Sequence, residues 1–414
     1  MSILLGRNQA SSFSLDSAWR RGPLLTYDGD APVCVIAPTG SGKTRDIVFP
    51  NILTHPGPVI AVDIKGELSG VASRARREMG HQVVVLDPFG RTDQESGSFN
   101  PLDLLRVRGA DAEVDAEMMA VFLGAGHEFI QDPFWHDAAV GLVSGMICYL
   151  DGLQDEQRTL NALNALLACT QLKERFEAAI SEKWCSNAFA RSEISAFIGM
   201  SGDRVRSSVQ VMARTFVRSL GSAQVTRCLA QSSFSLQDVV DGKPLDIFIV
   251  IPPDMLESNR GLLRLWIGTL LTAVMRRTRI PDQTTLFVLD EAAQLGAFPP
   301  LLTSATLLRG FGLQLISAWQ DIAQIQASYP RDWRTILNNS GAILGFGFGH
   351  HAAALDAGNF FGLPAQELLN LGPNQAILAE RGESARKVRR LNYLNDMMFA
   401  GTFDPNPFFE KKAG

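Results

Sequence analysis

Residues 35–44 read "VIAPTGSGKT", a short apolar run that breaks into a glycine-bearing loop and ends on lysine and threonine. Over 37–44 the stretch follows the phosphate-loop pattern G-x-x-x-x-G-K-[ST], with Ala37 where the first glycine stands. Pro38, Thr39, Gly40, Ser41 and Gly42 form the turn whose backbone amides face phosphate oxygens. Lys43 reaches toward the β and γ phosphates, and Thr44 brings a hydroxyl suited to magnesium. A strand-like run before the loop and a helix-like run after it supply the context this motif needs. The fold is therefore expected to be α/β, built around a triphosphate cradle.

A cradle of this kind needs a carboxylate at the end of a neighbouring strand to hold the metal. "TLFVLDEAAQLG", 285–296, supplies Asp290 at the end of an apolar run and Glu291 directly after it. The adjacent glutamate suits polarisation of a water for attack on a γ phosphate, which favours hydrolysis over small-molecule phosphorylation. Gln320 ends a further run, "LQLISAW" (313–319), where an amide suits a γ-phosphate sensor. Arg309 lies just ahead of that run. The sequence leaves open whether it completes a neighbouring subunit's site or makes a surface ion pair.

Moving outward, apolar β-branched runs recur at 33–37, 58–63, 82–87, 245–251, 285–290, 313–319, 342–347 and 375–379, several followed by helical periodicity. That alternation predicts a mostly parallel sheet with helices on both faces. From about Leu104 to about Phe216 no strand-like run appears. Apolar residues recur there at helical spacing, and Thr159 is placed to cap one of the helices. The expected organisation is a nucleotide-binding part over 1–104, an all-α insertion over 105–216 and a second nucleotide-binding part over 217–414, holding the carboxylate pair and sensor.

Composition narrows the alternatives. Of 414 residues, 46% are hydrophobic and 20% charged, which suits a folded core of more than one domain. A net charge of -5 means that any nucleic-acid contact must come from a local groove. The five cysteines are scattered with no C-x-x-C pair, and they read as buried thiols and not as a disulfide frame or a zinc site. The segment 261–275, "GLLRLWIGTLLTAVM", is too short for a bilayer and contains Arg264, so it reads as a buried helix. Arg204, Arg206, Arg214 and Arg218 fall on one predicted helix, as a solvated face or a contact for phosphates or a neighbouring subunit. The Pro- and Phe-rich end, "FDPNPFFEKKAG", is expected to lie against a neighbour or fray.

With "IAPTGSGKT", "VFPNIL", "VIAVDIKGEL" (59–68), "VVVLDPFG", "SFNPLDLL" (98–105), "DPFWHDAA" (132–139), "LDIFIVIPPDML", "FVLDEAAQLG" and "LISAWQDIAQI" in view, the chain resembles the coupling-protein ATPases of type IV secretion and bacterial conjugation, of the TraG/TraD type. "DIKGE" and "NPLD" are far more specific than a phosphate loop, and the resemblance covers nearly all of the chain. It implies a RecA-like P-loop NTPase domain interrupted by an all-α domain, with ATP and Mg2+ as cofactors. Lys43 and Thr44 then look like the nucleotide and metal residues, Asp290 like the metal carboxylate, Glu291 like the catalytic one, Gln320 like the sensor and Arg309 like a finger acting in trans.

The implied partners are further copies in a hexamer, single-stranded DNA with its relaxase or an effector protein, and the components of a secretion channel. The implied location is cytoplasmic, at the inner face of the bacterial inner membrane. Members of the family carry membrane helices ahead of the phosphate loop. Only about 30 residues precede it here, with no span, so the expectation is a member without its own anchor or a chain from which the anchor is missing, with the choice between hexamer and monomer for the chain in isolation left open. Two other readings compete: a soluble cargo adaptor with ATP as a conformational switch, and a different RecA-like DNA translocase.

Overall fold

The computed structural model describes residues 2–8, 22–125 and 132–408, with the side chains of 304–309 outside that description. The chain forms two compact units. The first comprises 1–83, 242–250 and 278–414, and the second 84–241 and 251–277.

The first unit is built on a sheet whose strands are β1 (Ile3–Arg7), β2 (Leu24–Tyr27), β3 (Val33–Ile36), β4 (Val59–Val62), β5 (Gln82–Leu86), β6 (Leu245–Ile249), β7 (Thr285–Leu289), β8 (Leu313–Trp319), β9 (Ala342–Gly345), β10 (Gln375–Glu380) and β11 (Arg386–Arg389). Their spatial order runs β2-β1-β11-β10-β9-β3-β8-β7-β4-β6, and β5 begins at the far edge, where the Gln82 amide donates to the Pro244 carbonyl at 2.9 Å. From β9 to β6 every pairing is parallel. Each of β3, β4, β7 and β8 is buried along its whole length, which is why these segments read as unbroken apolar runs.

The other side of the sheet departs from the expected parallel pattern. β10 is antiparallel to both β9 and β11, and β1 is antiparallel to β11 and β2. Strand β11, "RKVR", buries only Val388 and carries charge elsewhere, so it shows no apolar alternation to read.

After the phosphate loop a π-helical turn, Thr44–Val48, runs into α1 (Phe49–Thr54), and α2 (Glu67–Glu78) follows β4. Asn51 on α1 grips the first strand: its Oδ1 accepts from the Leu4 amide at 2.7 Å and its Nδ2 donates to the Leu4 carbonyl at 2.9 Å. Behind α2 lies a fully buried charge network. Arg76 Nε donates to Asp246 Oδ2 at 2.7 Å and its Nη2 to the Gly57 carbonyl at 2.6 Å, while the Val59 amide donates to Asp246 Oδ1 at 2.8 Å.

The end of the chain, expected to fray or reach a neighbour, instead packs on its own unit as far as Phe408. Tyr393 lies against Phe49 and Phe403, the Asp404 amide donates to the Val71 carbonyl, and Asn406 Nδ2 donates to Glu67 Oε2 at 2.9 Å. Buried aromatic faces and satisfied polar groups hold it there.

The second unit contains only helices and turns among its described residues beyond β5. In chain order these are α3 (Ala112–Gly124), α4 (Pro133–Asp151), α5 (Leu160–Leu167), α6 (Leu172–Ser181), α7 (Ala188–Ile198), α8 (Asp203–Val217), α9 (Ala223–Cys228), α10 (Leu236–Asp241), α11 (Pro253–Leu256) and α12 (Arg260–Met275). The long α4 packs against α3, α7 and α8. Asp132 caps α4 by accepting from the Phe134 amide with Pro133 at the first position, and Thr159 caps α5 by accepting from the Ala162 amide. The "NPLD" run anchors this unit: Asn100 Nδ2 donates to the Arg158 carbonyl, and Asp103 accepts from Arg158 at 2.7 Å and from the Ser232 hydroxyl at 2.5 Å. Helix α12 is buried along nearly its whole length, and no described helix is long and apolar enough to cross a membrane. On α8, Arg206 pairs with Asp203 and donates to the Met200 carbonyl, whereas Arg204 and Arg214 are exposed; Arg218, expected on the same helix, is exposed in the 3-10 turn that follows it.

Candidate nucleotide site

The site forms where β3, β8 and β7 end side by side, with β8 between the other two. β3 stops at Ile36, and the Ala37 amide donates to the Trp319 carbonyl at 2.9 Å. Ala37 is fully buried and fits where the motif has glycine. The loop closes on itself: the Pro38 carbonyl accepts from both the amide and the hydroxyl of Ser41, the latter at 2.6 Å. Gly42 has φ +95°, a left-handed backbone conformation that favours glycine at this position. A second glycine, Gly347, lies beyond β9; a Cβ on it would fall 2.6 Å from Ser41 Cβ, so the "GFGFG" segment (345–349) can pass close behind the loop.

Five of the side chains singled out in the sequence meet here in two hydrogen-bonded sets. Lys43 Nζ lies 3.0 Å from Glu291 Oε2, and Gln320 Nε2 donates to Glu291 Oε1 at 2.9 Å. Thr44 Oγ1 donates to Asp290 Oδ2 at 2.8 Å. The backbone of Arg309 lies in the 3-10 turn Leu308–Phe311 ahead of β8, and its side chain is outside the described residues. Gln324, on α13 (Ile322–Ser328), joins the cluster although the sequence reading did not name it. Its Oε1 accepts from the Gln320 amide at 2.8 Å and its Nε2 reaches Glu291 Oε1 at 3.4 Å. A glutamine four residues beyond Gln320, in the first turn of the helix that follows, was the available signal.

Asp290 shows what the cluster can hold. The residue is half-buried with its Oδ1 shut off from solvent, and desolvation pushes its pKa up to about 6 against the opposing effects of the Thr44 hydrogen bond and the Lys43 charge. Its Oδ1 has no hydrogen-bond partner. A carboxylate with one oxygen on a threonine hydroxyl and the other unpaired is matched to a hard divalent cation shared with that hydroxyl. Beside it, the Glu291 carboxylate is held by Lys43 and Gln320, a group of the kind that can accept a proton from water. The "DIKGE" run adds buried carboxylates nearby. Asp63 ends β4 and accepts from the amide and hydroxyl of Ser69, with its pKa pushed up to about 6 by burial, and Glu67 adds to the negative field felt by Asp290.

A family model described as "Type IV secretory system Conjugative DNA transfer" matches residues 4–353. A conjugal transfer protein TraG of Agrobacterium fabrum is 28% identical over 318 residues, covering 75% of this chain and 47% of that protein. A type IV secretion system-coupling protein VirD4 of Bartonella quintana is 26% identical over 327 residues, covering 75% and 50% respectively. The chain thus spans about half the length of the curated relatives it matches. Among solved structures, the bacterial conjugative coupling protein TrwBdeltaN70 in its unbound form aligns with a TM-score of 0.70 at 16% identity, covering 94% of this chain and 93% of that one. TrwB in complex with ADP and Mg2+ aligns at 0.69, with 94% of each chain covered. At this identity the likeness is one of fold: a RecA-like P-loop NTPase domain.

Proposed function

The chain belongs to the type IV secretory system conjugative DNA transfer family, and from that premise we propose that it is an ATP-hydrolysing motor that drives DNA, single-stranded and attached to its relaxase, or a protein substrate toward a secretion channel. The observation that carries the reading is the joint grip on Glu291 by Lys43 and Gln320, which sets a candidate base against the phosphate loop.

In this reading the amides of Gly40–Lys43 and the Lys43 ammonium bind the phosphates, and Thr44 and Asp290 hold Mg2+. The ion, when bound, neutralises charge on the phosphate oxygens. Glu291 accepts the proton of the attacking water, and Gln320 orients that water and senses the γ phosphate. That the TrwB structures carry ADP with Mg2+ and an ATP analogue supports ATP and Mg2+ as the cofactors here. Arg309 stabilises the transferring phosphoryl group on a neighbouring copy, which makes the active form a ring, a hexamer in this family reading. The second unit recruits the transfer substrate, and work is done at the cytoplasmic face of the inner membrane.

The test is ATP turnover with and without single-stranded DNA at protein concentrations that permit assembly. A rise of about tenfold or more on adding DNA is expected of a motor. Turnover that DNA leaves flat would instead favour an adaptor that uses ATP as a conformational switch.

A further inference from the structure

Arg390 follows β11, far from the loop in sequence, and its side chain is only 7% exposed. Its Nη1 does two things at once: it donates to the Ser41 carbonyl at 2.6 Å and lies 2.9 Å from Asp46 Oδ2. The guanidinium lies over the ring of Phe346, 4.4 Å from its centroid, and Nη2 donates to the Pro373 carbonyl. Phe346 is fully buried and its amide donates to the Ile36 carbonyl at the end of β3, so the platform beneath the guanidinium belongs to the sheet. Asp46 stands on the turn that follows the loop and is also held by Arg45, Nε to Oδ1 at 2.5 Å. Burial lowers the Arg390 pKa, and the Asp46 carboxylate opposes that shift.

A trans peptide directs its C=O and its N–H to opposite sides. The peptide joining Ser41 to Gly42 is trans. Fixing the Ser41 oxygen from behind therefore aims the Gly42 N–H away from Arg390, toward the opposite face of the loop. Arg390 Nη1 also ties the loop to the turn that follows it through Asp46. The loop thus receives its orientation from a side chain outside the motif.

We propose that Arg390 is a positioning residue for the nucleotide site, holding the phosphate loop by its Ser41 carbonyl so that the loop amides are presented to the β phosphate before nucleotide arrives. This rests on the nucleotide-site reading above. Preorganised donors bind without first being ordered, so the effect belongs in affinity. Because the β phosphate is common to both, ADP and a non-hydrolysable ATP analogue should weaken together.

The experiment is calorimetric titration of Mg2+–ADP and of the Mg2+-bound analogue into the wild type and into R390Q, R390K and R74A, with a thermal melt of each. R390Q is expected to weaken both ligands by about tenfold or more, the loss of one hydrogen bond to a charged group, and R390K to recover part of that. In turnover the change should fall on KM, with kcat at saturation within about threefold of wild type. Arg74 anchors the same C-terminal segment to α2 through Asp404 and the Phe403 carbonyl, so R74A should leave affinity unchanged.

Folded R390Q with wild-type affinity overturns the proposal, as does R74A losing as much affinity as R390Q. If R390Q melts below the assay temperature, D46N answers from the other end: a several-fold loss for both ligands is expected, and wild-type affinity overturns the proposal. A wild type that binds neither nucleotide would sink the nucleotide-site reading itself; wild-type binding matched by R390Q sinks only the role of Arg390.

Discussion

Lys43 Nζ sits 3.0 Å from Glu291 Oε2, so the loop cation and the candidate base are bonded to one another across the ends of two strands. The two residues should separate cleanly by substitution. K43A is expected to weaken Mg2+–ATP binding by about 100-fold, since it removes the charge that meets the phosphates. E291Q keeps an oxygen for Lys43 but cannot accept a proton, so binding is retained while hydrolysis falls by about 100-fold or more. Equilibrium binding and single-turnover hydrolysis on both variants check this, and substantial hydrolysis by E291Q would remove Glu291 from the role.

Gln324 supports Gln320 through its main-chain amide and also touches Glu291. Q324A is expected to lower kcat by about tenfold while the affinity for ATP stays within about twofold of wild type. A variant that instead changes only affinity would place Gln324 outside the hydrolytic machinery. Steady-state kinetics alongside direct binding distinguishes the two.

Arg309 can be tested without its side-chain geometry. If it serves a neighbouring copy, R309A and E291Q are each inactive alone, and mixing them creates interfaces in which an intact Arg309 faces an intact Glu291. Recovery of roughly a quarter of wild-type turnover in an equimolar mixture is expected from random assembly. A mixture no more active than its components counts against a shared site.

His55 is buried, and its Nε2 lies 2.8 Å from the Thr284 carbonyl, so Nε2 is the ring nitrogen that donates. Burial lowers its pKa to about 4, outweighing the hydrogen bond to Thr284. Its folded pKa lies below the unfolded value of about 6.5, so the unfolded chain binds more protons between those values. The contribution is fully present above about pH 6.5 and is lost as pH falls toward 4, on the order of 3 kcal/mol. Denaturant melts from pH 7 to 4.5 should show a shallower pH dependence in H55N than in wild type, and parallel curves would refute it.

The Arg76–Asp246 pair is fully buried on both sides. D246A leaves a guanidinium in the core with no carboxylate and should destabilise the protein by about 3–5 kcal/mol. Urea melts measure this. A loss below about 1 kcal/mol would mean that water or neighbouring carbonyls take over the role of Asp246.

Much of this molecule was legible because its central strands are buried on both faces. β3, β4, β7 and β8 appear as continuous apolar runs, and the residues directly after β7 and β8 meet Lys43 and Thr44 at the end of the loop that follows β3. The antiparallel side was not legible for the opposite reason. β11 is charged at every position but one, and β2 is half-exposed along its length, so neither carries a period. Gln324 was visible only as a helical neighbour of Gln320. Arg390 was not visible at all, because a contact across 349 residues between a guanidinium and a main-chain carbonyl leaves no mark in the identity of Ser41. Backbone oxygens carry no sequence signature.

Asn51 holds both the amide and the carbonyl of Leu4, and it stands on the helix that continues directly from the phosphate loop. In mechanical terms β1 is thereby a handle on that helix. A tether fixed to the head of β1 would pull through two short hydrogen bonds on the same rod that bears Thr44 at its other end, so tension on such a tether and occupancy of the phosphate cradle would be felt by one another.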